Sequence, residues 1–177
     1  MSLIHGMSTT NSQTPVRVSA AGAVEITSTT LTNVEDLAEK SVYRTASTMV
    51  NGADIFTVAG GPIQIISIGC VCITANDATA STLQYRADGT DGAATTITGA
   101  SASLANAAAG TIVVSVPGTL ATAPAVYANG VGIAGTVGII VPAGIIEIVV
   151  GVGSTTGTWR QFIRYVPLAT GVTVTAA

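Results

Sequence analysis

From Asp54 to the C-terminus, apolar residues recur at alternate positions in short runs, and Gly, Pro or Asn separates each run from the next. A period of two belongs to the β-strand, whose successive side chains point to opposite faces. The runs are "DIFTVAGGPIQIISIGCVCITA", "STLQYRAD", "TIVVSVPG", "APAVYANG", "TVGIIVPAG", "IIEIVVGVG", "TWRQFIRYVPL" and "GVTVTAA". In the first, a Gly-Gly-Pro break at Gly60–Pro62 ends one strand and begins another. Strict alternation then puts Ile63, Ile65, Ser67 and Gly69 on one face, and Gln64, Ile66, Ile68, Cys70 and Cys72 on the other. "VPAG" at Val141–Gly144 reads as a tight turn between two β-branched runs. "DGTDG" is a turn cluster, and "GASASLANAAAG" fits either a helical turn or a loop. Short strands at this spacing, without βαβ alternation or a fixed repeat, predict an all-β sandwich or jelly roll of antiparallel strands.

Before Asp54 the pattern is different. Residues 1–15 are polar, end at Pro15 and read as a flexible arm. "VRVSAAGAVEITSTTL" alternates weakly, as an early strand or an extended segment would. "NVEDLAEK" is the best helical signal in the chain: Asn33 suits the cap, Glu35 and Asp36 the first turn and Lys40 the last. The expected organisation is an arm over 1–15, an extended segment with a short helix at Asn33–Lys40 over 16–40, and a sandwich domain over 41–177.

Composition narrows the function. Of 177 residues, 48% are apolar and only 8% charged, which does not suit intrinsic disorder. Mean hydropathy is +0.62, but the best membrane candidate, Gly132–Ser154, is interrupted by Pro142 and Glu147 and has no basic flank. The net charge of -3, with no run of Lys or Arg, disfavours nucleic acid. The N-terminus has no basic region followed by an apolar one, so no signal peptide is expected. Cys70 and Cys72, two residues apart on a strand, lie about 6.5–7 Å from one another and are expected as reduced, buried thiols.

Chemistry concentrates in "TWRQFIRYVPL", Thr158–Leu168. It holds the only Trp, one of two Phe, one of four Tyr and two of six basic residues. On a strand, Trp159, Gln161, Ile163 and Tyr165 share one face, and Arg160, Phe162, Arg164 and Val166 the other. The preceding run ends in a loop of hairpin length, so Ile145–Val150 is expected to pair with Thr158–Val166. Glu147 would then meet Arg160 or Arg164. Glu147, Trp159, Arg160, Phe162, Arg164 and Tyr165 are accordingly expected as core and interface anchors rather than as a ligand platform. The only His is His5, in the expected arm, so a Ser-His-Asp or Cys-His arrangement is excluded. Glu147 has no acidic partner beyond Asp88 and Asp91 for glycoside hydrolysis, and "DGTDG" lacks the spacing of a calcium loop. No catalytic residue, metal or cofactor is called for.

The order of "FTVAGGPIQIISI", "AAAGTIVV", "VPAGIIEI" and "TGTWRQFIRYVPLATGVTVTAA" resembles small Gly/Ala/Thr-rich virion proteins of tailed bacteriophages, over roughly residues 40 to 177. The resemblance implies a β-sandwich that decorates or cements a capsid, or forms part of a head fibre. It also implies a homotrimer, and a virion location after synthesis in the host cytoplasm. The partners implied are copies of the chain and the major capsid protein or another virion protein, with no nucleic acid and no membrane. The rival expectation is a jelly-roll carbohydrate- or receptor-binding module of a tail or fibre, using Tyr85, Arg86, Asp88 and Trp159.

Overall fold

The structure is a computed structural model and describes residues 4–7, 13–18, 24–25, 38–90, 92–115, 123–127, 138–152 and 154–177. The chain divides into two units, Met1–Asp36 and Leu37–Ala177. In the first, strands β1 (Ile4–Met7), β2 (Gln13–Val18) and β3 (Val24–Glu25) form an antiparallel sheet in that order. Residues assigned to the arm from sequence thus include a strand, with His5 opposite Pro15.

The second unit is all-β among its described residues, with two antiparallel sheets. One has seven strands: β4 (Lys40–Tyr43), β5 (Ser47–Val50), β7 (Ile63–Cys72), β10 (Ile112–Ser115), β11 (Ala125–Tyr127), β12 (Ile139–Val141) and β14 (Ser154–Pro167). Its spine is β7 paired with β14. On the far side of β7, β10 and β12 follow one another; on the far side of β14, β5 and β4 do the same. The other sheet has five strands in the order β15 (Thr173–Ala176), β6 (Ala53–Ala59), β13 (Gly144–Val150), β8 (Leu83–Gly89) and β9 (Thr95–Thr96). One cluster of buried side chains draws on both sheets, including Ile65, Cys70, Trp159 and Ile163 from the first and Phe56, Leu83, Tyr85 and Ile148 from the second. Burial of such side chains is the main driving force for the fold.

Two expectations are corrected and one open alternative is decided. The helix expected over Asn33–Lys40 does not reach its final residues: Ala38 and Glu39 are not helical and Lys40 opens β4, while 33–37 lie outside the described residues. Lys40–Tyr43 pairs with Phe162–Tyr165, and a ladder on a long strand outweighs the weak propensity of a two-turn helix. "GASASLANAAAG" is a loop, tied by Ser101 N–H to Leu83 C=O at 2.8 Å and Leu104 N–H to Ser81 C=O at 2.7 Å. Third, β13 and β14 do not pair. β13 lies between β6 and β8 in one sheet and β14 in the other, so the link that follows Val150 joins the two sheets and is not a hairpin turn.

The alternation in β7 is also broken. Arg164 pairs with Ser67 but Tyr165 with Ile65, which leaves Ile66 as the extra residue of a bulge. The bulge reverses the phase. Ile63 and Ile65 therefore share the core face with Ile68, Cys70 and Cys72, and Gly69 lies on the outer face. "VPAG" does turn where expected, but it carries the chain from β12 in one sheet to β13 in the other. Gly144 there has a φ of +146°, and a Cβ would lie 2.2 Å from Asp88 C=O, so only glycine fits.

Candidate functional site

β14 holds most of the residues singled out from sequence, and its two faces have different roles. Trp159, Gln161, Ile163 and Tyr165 are buried, whereas Arg160 is exposed and Phe162 and Arg164 are half-buried. Trp159 is 0% exposed, so it cannot serve as an open stacking platform. Its indole N–H donates to Asn76 Oδ1 at 3.4 Å. The same oxygen accepts from Gly157 N–H at 2.8 Å, and Asn76 Nδ2 donates to Leu104 C=O at 3.1 Å. Asn76 thus ties three segments together from a buried position. Sequence reasoning missed it, because an Asn between two Gly- and Ala-rich loops reads as an ordinary turn residue.

A second buried polar group lies between the sheets. Tyr85 of β8 donates its hydroxyl to Gln161 Oε1 of β14 at 2.8 Å. Cys70 is the register partner of Gln161 on β7. Burial pushes the Cys70 thiol far above its usual range, an effect that hydrogen bonds with Tyr85 and Gln161 only partly offset. Burial also raises Tyr85 well above the ordinary phenol value. Cys72 is raised for the same reason, and its thiol donates to Thr74 C=O at 3.2 Å. Both cysteines are free and buried.

Glu147 does not meet Arg160 or Arg164. It faces outward from the five-stranded sheet, opposite Arg86 on β8, and pairs with that guanidinium. The carboxylate raises the pKa of Arg86 above its ordinary value. Arg164 pairs with Glu39, its Nε donating at 2.7 Å. The register of β13 decides both partners: Glu147 stands beside Arg86 across β8, while β14 is in the other sheet. Tyr85 is 0% exposed, so it cannot belong to an open loop site with Arg86 and Asp88. A groove of about 430 Å³ runs between β12 and the β8–β9 hairpin, and the described residues that line it, including Ala87, Ile97, Ile139 and Pro142, carry no charged side chain. No group of three metal-ligating side chains occurs among the described residues. Among the described residues no helix is long and apolar enough to cross a membrane.

What gathers at the surface is apolar. Six large hydrophobic side chains among the described residues are exposed. Tyr43, Val50 and Ile140 lie on the outer face of the seven-stranded sheet, and Ile73 continues that face just beyond β7. Phe162 pairs with Tyr43 on one side and Gly69 on the other. Its ring covers the glycine, where an added Cβ would sit 2.9 Å from Phe162 Cζ. The candidate functional site is this face, where Phe162 and Tyr43 adjoin toward the β4 edge and Arg160 and Arg164 stand to either side of Phe162 along β14. No family model matches the chain, and neither a curated protein nor a solved structure matches it.

Proposed function

We propose that the chain is a non-enzymatic structural protein of a tailed-phage virion, decorating or cementing the capsid as a self-associating β-sandwich. The observation that carries this reading is the outer face of the seven-stranded sheet. Four of the six exposed large apolar side chains are on or beside it, spread from Val50 opposite Ser154 to Ile140 opposite Gln64, so the face offers several separate apolar contacts. The rest of the reading rests on the order of motifs described from the sequence. The sandwich itself is supported by the core cluster, to which both sheets contribute. The buried polar side chains support a structural reading: Asn76 bonds to the backbone of neighbouring segments and Tyr85 to Gln161 Oε1, while Gln161 Nε2 is buried without a partner. The carbohydrate-binding alternative loses two of its residues, since Tyr85 and Trp159 are buried.

Size-exclusion chromatography with light scattering, followed by immunogold electron microscopy of particles from cells that express the gene, tests the proposal. The expected result is a homo-oligomer and label on particle heads. A monodisperse monomer at micromolar concentration together with unlabelled particles would overturn it.

A further inference from the structure

The same face carries a pattern of charge that selects its occupant. Arg160 and Arg164 lie two residues to either side of Phe162 on β14, and both face outward. Among the described residues, Arg164 has an acidic partner, Glu39, while Arg160 has none. The face therefore holds an unpaired cation at one end, an ion pair at the other and aromatic side chains between them. No other charged residue of the second unit's described strands lies on it: Lys40 of β4 stands opposite Tyr165 on the inner face, and Asp54, Arg86, Asp88 and Glu147 belong to the five-stranded sheet.

We infer that this face docks against the same face of a second copy of the chain, across a two-fold axis that crosses β14 at Phe162, perpendicular to the strand. The axis lies between the two sheets and inverts strand direction. It sets each Arg160 over the Arg164–Glu39 pair of the other copy, where Glu39 accepts from a second guanidinium. Phe162 meets Phe162 on the axis and Tyr43 meets Tyr43 beside it. Gly69, next to Phe162, leaves the centre of the face flat enough for sheets to approach to about 10 Å. A two-fold axis parallel to β14 would instead place Arg160 on Arg160, and that like-charge contact is unfavourable. Each contact made is made twice, as an isologous interface requires. The inference rests on the reading of the chain as self-associating and adds to it a surface and a symmetry.

The test is a charge exchange read by light scattering and sedimentation velocity on the full chain. Wild type is expected to have a mass that is an even multiple of the chain. Arg160→Glu is expected to weaken association about tenfold or more, and Glu39→Arg likewise. The double variant Arg160→Glu/Glu39→Arg is expected to regain most of the loss, because the pair between copies is re-formed with its signs exchanged. Tyr43→Glu is expected to separate the copies. Arg160, Glu39 and Tyr43 are exposed, so thermal melts and circular dichroism of each variant should match wild type at high dilution. An oligomer whose mass and affinity are indifferent to Arg160→Glu and Tyr43→Glu would overturn this interface while leaving self-association intact. A wild-type mass of three chains would overturn the two-fold axis. A wild-type monomer would overturn both the interface and the reading beneath it.

Discussion

Asn76 shows how one side chain can decide a fold that is otherwise built of small and β-branched residues. Its carboxamide receives Gly157 N–H and the Trp159 indole and supplies Leu104 C=O, all in a buried place. Asn76→Ala leaves Gly157 N–H and the Trp159 indole N–H without a partner, while Leu104 C=O keeps Ala107 N–H at 3.1 Å, and each unsatisfied buried group costs about 1–3 kcal/mol. The expected loss is about 2–4 kcal/mol, read as a lower urea midpoint at unchanged m-value, with Trp159 fluorescence as the probe. A loss under about 0.5 kcal/mol would mean that the hub is solvated. Cys70 gives the alkaline limit of stability. Burial keeps its thiol neutral in the folded chain, while an unfolded thiol ionises near about 8.5. The unfolded state therefore releases a proton first as pH rises. Stability from this group is complete below that value and declines above it. Tyr85 acts in the same direction at higher pH. Melting temperatures from pH 7 to 10.5 should be flat and then fall, and Cys70→Val should fall less; parallel curves for the two would remove Cys70 as the cause.

At the scale of the element, the strands from Asp54 onward were legible in the sequence and their partners were not. Alternation places β6, β8 and β13–β15, because it records which residues leave water. It says nothing of which sheet a strand enters, and here most short connections carry the chain from one sheet to the other. "GVGSTTGT" reads in sequence as a hairpin loop, yet the strands on either side of Gly151 and Val152 lie in different sheets, which redirected Glu147 to Arg86 and left Arg164 to Glu39. The division of β14 into a buried and an outer face was readable because that strand keeps its phase against solvent. The phase of β7 was not, since a bulge at Ile66 has no distinctive residue. The link after Val150 also stores strain. Val152 has a φ of 66° and is 73% exposed, an uncommon conformation for a β-branched residue and one with little contact to compensate. Val152→Asn is expected to raise stability by about 0.5–1 kcal/mol, since Asn tolerates this region. Val152→Pro is expected to lower it sharply, because φ near −65° cannot serve there. Thermal melts of both variants check the signs, and an Asn variant that melts earlier would show that the link is not strained.

Across the whole second unit, neither sheet is a continuous piece of chain. β4 and β5 enter one sheet, β6 the other, β7 the first again, and β13, β14 and β15 continue the exchange. A sheet assembled from scattered segments cannot form before its partner has drawn those segments together. The core they share, with Trp159 on one side and Tyr85 on the other and a Tyr85–Gln161 hydrogen bond across it, makes the loss of either sheet the loss of both. The expected consequence is one cooperative unit over Leu37–Ala177, with folding in the range of milliseconds to seconds typical of non-local β pairing. Hydrogen exchange followed by mass spectrometry tests this directly, because peptides from β13 and β6 report one sheet and those from β7 and β14 the other. Their most protected amides should open with the same free energy and fall in parallel as denaturant is added. If β13 and β6 exchange at a lower free energy than β7 and β14, the five-stranded sheet opens by itself. The two sheets would then be separate folding units, and the single core would not be what binds them.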